Sequence, residues 1–149
     1  MHQITDTLAV GNIYDAERPP ATIEALLFVA DEYSIEAPAG LIYGKIPLKE
    51  YGEAEIASLD RAVTWIEQQL PEHRVMVCCR AGMGRSVSVV MTYLCCVQGM
   101  TYPDVWTLVT TRRPGAVPLP NLEAAIEQVL LLRRRRKETT GPPIPTPSR

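Results

Sequence analysis

The chain has 149 residues, 46% hydrophobic and 21% charged, which suits one domain with a buried core and excludes a disordered or fibrous protein. Its formal charge of −2 is unevenly spread: residues 133–149 hold six basic residues and one acid, whereas residues 1–132 hold nine basic and sixteen acidic, a local −7 that suits nucleic-acid binding poorly. No apolar run approaches the ~18–20 residues of a bilayer span, residues 1–12 lack the basic-then-apolar pattern of a secretion signal, and the cysteines form two adjacent pairs, Cys78-Cys79 and Cys95-Cys96, unlike zinc or disulfide scaffolds.

In chain order, ITDTLAVG (4–11) alternates and is β-branched, which predicts a strand. Glu24 to Asp31 predicts a second strand, buried on both faces, and Leu41 to Leu48 a third. Ile56, Leu59, Val63, Ile66 and Leu70 recur at spacings of three and four, the stripe of an amphipathic helix that Pro71 stops. Val75 to Cys78 is a short apolar strand, and from Ser86 to about Gln98 the chain is apolar nearly all round, as a buried helix should be. Thr101 with Asp104 resembles a capping box for a helix ending near Arg113-Pro114. Asn121 is placed to cap a final helix carrying Leu122, Ile126, Val129 and Leu130. Strands alternating with helices predict an α/β fold, one domain with a central, mostly parallel twisted sheet flanked by helices. The domain is expected over 1–137, followed by a proline-rich flexible tail over 138–149.

The stretch VMVCCRAGMGRSVSVV carries the chemistry. A buried strand runs into a tight loop, and a helix starts at once after it. Such a loop aims backbone N–H groups inward and the helix adds its positive end, so the pocket suits an anion. Gly82 and Gly84 permit turns that a side chain would forbid. Arg85 offers a planar fork for two phosphate oxygens. Cys79 lies at the floor, where the same field favours the reactive thiolate. The Ser86 hydroxyl can hydrogen-bond the sulfur and help it leave in a second step.

Cys79, five residues, then Arg85-Ser86 is similar to the C-x5-R-S/T signature of the protein tyrosine phosphatase superfamily. IPLKE (46–50) and YLCCVQGMTYPDVWTLVTTRRPGAVPLPN (93–121) resemble segments of its dual-specificity branch, and the similarity runs roughly from Ile4 to Leu132. The resemblance implies a cysteine-dependent phosphatase: Cys79 attacks, a phosphocysteine forms, and water hydrolyses it. Main-chain amides of Arg80, Ala81, Gly82, Met83, Gly84 and Arg85 would bind the phosphoryl oxygens, and Glu50 falls where the family places its general acid, with Glu53 and Glu55 as rivals and Asp60 too far along. No metal or cofactor is implied. The expected partner is a phosphorylated protein carrying phosphotyrosine, with phosphoserine and phosphothreonine as further candidates and a phosphoinositide as the alternative. Catalytically weak phospho-recognition is a further alternative.

Two positions depart from the family pattern. Cys78 stands where a histidine usually precedes the nucleophile, and reads as a small buried strand residue. Glu50 stands where an aspartate is usual, with one more methylene of reach. Arg80 reads as outward-pointing, either meeting substrate or solvated. Arg112 and Arg113 read as helix-end cations, with contact to a second phosphate, which the resemblance implies for a basic residue near here, as the alternative, and Cys95 and Cys96 read as core. His2 and His73 lie far from the loop in sequence and show no ligand spacing. The RRRRK run at 133–137 reads as a helix end, with an anionic surface such as lipid or RNA as its alternative. Reduced cysteines and the absence of a signal pattern together predict a cytoplasmic protein.

Overall fold

In the computed structural model, which describes residues 1–139, five strands form one sheet. They are β1 (His2–Gln3), β2 (Leu8–Gly11), β3 (Ala25–Ala30), β4 (Ile42–Leu48) and β5 (Val75–Cys78), in the spatial order β1-β2-β5-β3-β4. The last four are parallel to their neighbours, and β1 pairs antiparallel with β2, His2 opposite Val10. The expected α/β class and mostly parallel sheet are therefore observed. Every residue of β2, β3 and β5 is buried, which explains why LAVG, ALLFVA and VMVC are continuous apolar runs.

The first strand starts later than expected. The N–H groups of Ile4 and Thr5 both donate to the Leu8 carbonyl, at 2.9 and 3.0 Å, turning residues 4–7 back so that His2–Gln3 can pair as β1. Helix α1 (Ile13–Glu17) is too short to leave a periodic trace. It is set by a capping box in which the Asn12 side chain accepts from the Asp15 N–H and the Asp15 carboxylate accepts from the Asn12 N–H, both at 2.9 Å.

Helix α2 (Ile56–Gln69) follows its predicted stripe, burying Leu59, Ala62, Val63 and Ile66, and stops before Pro71. Burial of each large aliphatic side chain stabilises this docking by about 1.5–3 kcal/mol. The Trp65 indole edge lies against Gly44 of β4, where a Cβ would overlap it. Helix α3 (Arg85–Cys96) is buried from Arg85 to Cys95 because α2, the sheet, α4 (Tyr102–Arg112) and α5 (Leu122–Thr139) surround it. Thr101 caps α4, its hydroxyl accepting from the Asp104 N–H at 3.3 Å.

Asn121 stands immediately before α5 as expected, its carbonyl accepting from the Ala125 N–H at 3.1 Å, but its side chain does not cap the helix. Its φ of 54° is left-handed, outside the extended range of an N-cap, and its side-chain amide donates to Glu53 instead. Helix α5 runs to Thr139, and the remainder of the expected tail, 140–149, lies outside the described residues. Strand β5 occupies the middle of the sheet. Its carboxyl end, where parallel sheets collect their ligands, opens directly into the loop of interest.

Candidate active site

In the loop between β5 and α3, the five carbonyls from Arg80 to Gly84 are all taken up by the surrounding scaffold. The Arg80 carbonyl accepts from the Ile13 N–H at 3.0 Å, that of Ala81 from Arg113 at 3.2 Å, and that of Gly82 from Arg113 at 3.0 Å. The Met83 carbonyl accepts from the Val117 N–H at 2.8 Å, and that of Gly84 from the Ser88 N–H and hydroxyl at 2.8 and 2.7 Å. A planar peptide points its N–H opposite to its carbonyl. With the oxygens anchored to the scaffold, the partner N–H groups face the other way, and that of Gly82 lies on the Cys79 sulfur. Gly82 is required here: its φ is +71°, and a Cβ would sit 2.6 Å from both the Arg113 guanidinium and the Gly11 carbonyl.

Cys79 stands at the bottom of this ring, 2% exposed. Its Sγ receives the Gly82 N–H at 3.3 Å and lies 3.3 Å from Ser86 Oγ. Ser86 is fully buried at the start of α3, so its hydroxyl has the sulfur as its near polar neighbour. Cys78 is buried in β5, as expected. Burial first, and then the charges of Asp15 and Cys79, push its thiol well above the ordinary cysteine range, so it stays protonated beside its neighbour.

Arg85 is 3% exposed and doubly held. Its two terminal nitrogens donate to the two carboxylate oxygens of Glu32, both at 2.7 Å, and one also donates to the Leu48 carbonyl at 3.1 Å. Hydrogen bonds from Arg85 hold the Glu32 carboxyl below its usual range; burial by itself would lower Arg85, but the Glu32 hydrogen bonds together with the charges of Cys79, Glu32 and Glu50 raise it. Sequence reasoning missed Glu32. Glu32 lies just beyond β3, which neighbours β5, and only the strand order reveals that two carboxyl ends adjoin.

A cavity of about 300 Å³ opens above the sulfur. Cys79, Ala81, Gly84 and Arg85 form its floor, with Glu50, Tyr51 and Gly52 on one side and Val117 to Pro120 on the other. Of the three candidate acids, Glu50 alone lines it. Glu53 is engaged by Asn121, and Glu55 precedes α2 and accepts from the Ser58 hydroxyl at 3.3 Å. Asp60 is remote, tied to α5. The Val117–Pro120 wall is fixed to the loop at two points, Val117 N–H to the Met83 carbonyl and Leu119 N–H to Ser88 Oγ at 2.9 Å.

The other sequence candidates separate clearly. The Arg80 side chain is turned away from the cavity, its guanidinium 5.6 Å from the centre of the Tyr33 ring, so only its main chain belongs to the loop. Arg113 closes α4 as its C-cap, as expected, but its side chain is buried and contacts the loop, and His2, distant in sequence, meets the same guanidinium through Nδ1. His73 lies near Glu24, away from the loop. Burial pushes the Cys95 and Cys96 thiols up to about 11, consistent with core positions. In the basic run, Arg133 and Arg136 reach the carboxylates of Asp60 and Glu67 on α2.

Residues 21–131 match the model of the dual specificity phosphatase catalytic domain. The chain is 27% identical over 134 residues to dual specificity protein phosphatase 1B of Arabidopsis thaliana, covering 86% of this chain and 80% of that protein. It is 35% identical over 101 residues to dual specificity protein phosphatase 12 of Mus musculus, covering 64% of this chain but 30% of that longer protein. Among solved structures, human DUSP28 superposes with a TM-score of 0.80 at 18% identity, covering 91% of this chain and 99% of the other, a likeness of fold.

Proposed function

Since the chain belongs to the dual specificity phosphatase family, we propose that it hydrolyses phosphomonoesters on proteins through a phosphocysteine on Cys79. The observation that carries this reading is the ring of outward carbonyls around a sulfur that already accepts the Gly82 N–H. A phosphate seated there meets preorganised amides and the positive end of α3, which stabilise charge where it grows in the transition state.

In the first step the Cys79 thiolate attacks phosphorus in line, the bond from phosphorus to the ester oxygen breaks, and that oxygen takes a proton from Glu50. In the second, water attacks the phosphocysteine, giving its proton to the Glu50 carboxylate, and the P–S bond breaks to return thiolate and release phosphate. Ser86 donates its hydroxyl hydrogen bond to the departing sulfur. Arg85, aligned by Glu32, follows the equatorial oxygens.

Phosphotyrosine is the favoured substrate. Tyr51, Val117, Pro118, Leu119 and Pro120 give the cavity largely apolar walls, and Arg85 is the cation among its lining residues. A phosphoinositide with several phosphates would call for further cations. Four free cysteines suit a reducing compartment such as the cytoplasm, and among the described residues no helix is long and apolar enough to cross a membrane.

The test is phosphate release from phosphotyrosine, phosphoserine and phosphothreonine peptides and from phosphoinositides, with Cys79→Ser as blank. Cys79-dependent release, fastest on phosphotyrosine, is expected. Glu50→Gln should slow alkyl phosphates more than aryl ones, because a poorer leaving group needs the proton more. Binding without release in the wild-type chain would replace the enzyme with a phospho-recognition module, and a preference for lipid would move the substrate class.

A further inference from the structure

Arg113 is 5% exposed, and among the described residues no carboxylate lies within ion-pairing distance of it. Asp15 feels its charge from farther away. An arginine buried without such a partner is costly unless its donors are used. All three of its guanidinium nitrogens are: Nε donates to the Gly82 carbonyl at 3.0 Å, one terminal nitrogen to the Ala81 carbonyl at 3.2 Å, and the other meets His2 Nδ1. Two of these three contacts fall on consecutive peptides of the loop beneath the cavity.

The consequence follows from peptide planarity. The carbonyl of Ala81 and the N–H of Gly82 belong to one plane and point in opposite directions, as do the carbonyl of Gly82 and the N–H of Met83. Holding the two oxygens outward therefore holds two N–H groups inward. The first plane shows the result directly, since the Gly82 N–H lies on the Cys79 sulfur. Without that hold, Gly82 is the position freest to flip, because it has no Cβ and sits at φ +71°. The close approach of Arg113 also explains why nothing larger than glycine fits there.

We propose that Arg113 is a positioning residue of the phosphate loop: by gripping the Ala81 and Gly82 carbonyls it fixes the Gly82 and Met83 amides as donors to the phosphoryl oxygens. This inference rests on the loop being the phosphate site proposed above. His2 steadies the guanidinium from the edge of the sheet and touches no substrate.

The experiment uses the full chain in a Cys79→Ser background, with inorganic phosphate as the probe and 15N-labelled amides as the readout. Phosphate should shift the Gly82 and Met83 amide signals. Adding Arg113→Met, which keeps bulk and removes the donors, should abolish those two responses and weaken phosphate binding about tenfold, as expected when preorganised donors are lost. Arg113→Lys, with one donor head, should restore one response and part of the affinity. In the Cys79-bearing enzyme, Arg113→Met should lower kcat for an aryl phosphate more than it raises KM. A folded Arg113→Met protein with unchanged amide responses and affinity would overturn the proposal. If that variant does not fold, Arg113→Lys decides alone: both responses at wild-type strength would equally overturn it. Should wild-type protein bind phosphate yet release none from any ester, the enzymatic reading fails while the amide responses still judge Arg113.

Discussion

Glu32 illustrates how one side chain can act on the site in two opposing ways. Its carboxylate takes both terminal nitrogens of Arg85 at 2.7 Å, leaving that guanidinium little freedom to turn. An unrestrained arginine keeps up to about 2 kcal/mol of rotamer entropy, so the clamp removes a cost from the transition state. The same negative charge repels an arriving phosphate, and for a partly exposed pair the two effects are of similar size. Glu32→Gln should therefore leave the inhibition constant of inorganic phosphate within about threefold of wild type while lowering kcat about tenfold. Steady-state kinetics with phosphate as a competitive inhibitor checks both numbers, and a large change in the inhibition constant with kcat intact would contradict this division. Because its partner holds the Glu32 carboxyl below the usual value of 4.5, the clamp is complete above that pH and is lost only as pH falls through the depressed value. Nothing around Glu32 in sequence distinguishes it from Asp31 or Glu36. Cys79, Arg85 and Ser86 were legible because their partners sit a few residues away in the same loop, whereas the partner of Glu32 is 53 positions off.

At the scale of elements, the site is assembled from segments that converge at the carboxyl end of the sheet and carry few apolar signals of their own. The β5–loop–α3 unit announces itself by an apolar run, two glycines and a second apolar run. The wall at 117–120 does not, because two main-chain N–H groups fix it, Val117 to Met83 and Leu119 to Ser88. Backbone bonds leave no residue-type trace. Asn121 marked the start of α5 correctly but not its side-chain role: asparagine serves an N-cap and a left-handed position equally well, and here the backbone takes the second. Where α2 packs on β4, the Trp65 indole lies directly on Gly44 and leaves no room for a Cβ. Gly44→Ala places a methyl inside the indole and should destabilise the fold by about 1–3 kcal/mol, the range for overpacking. Thermal unfolding followed by circular dichroism reads this directly, and a melting temperature equal to wild type would show that the indole moves aside freely.

For the whole molecule, the uneven charge of the sequence resolves into an internal pairing. The acidic body and the basic end of α5 meet at Asp60, buried on α2, which Arg136 holds with two bonds of 2.7 and 2.8 Å and Arg133 with one of 3.3 Å. Burial alone would raise the Asp60 carboxyl, but the hydrogen bonds from Arg136 and then Arg133 prevail and lower it below 3.8. A depressed acid stabilises the fold above its ordinary pKa and loses that contribution as pH falls through the lowered value. Asp60→Asn should thus cost about 1–3 kcal/mol at pH 7, and the gap from wild type should close below about pH 4. Urea unfolding across pH 3–7 measures it, and a constant gap would mean that the pairing contributes nothing through charge. The charge asymmetry was visible in the sequence, but its meaning required knowing that α5 lies along α2. The contact of Trp65 with Gly44 has a practical sequel. The chain has two tryptophans, and the other, Trp106, is 44% exposed on α4. Replacing Trp106 by phenylalanine would leave a single tryptophan, seated on the strand that leads into Glu50 and Tyr51 and excitable apart from the tyrosines. Its emission colour would then serve as a built-in optical gauge of whether that strand shifts when an oxyanion arrives, with no dye attached and no substrate turned over.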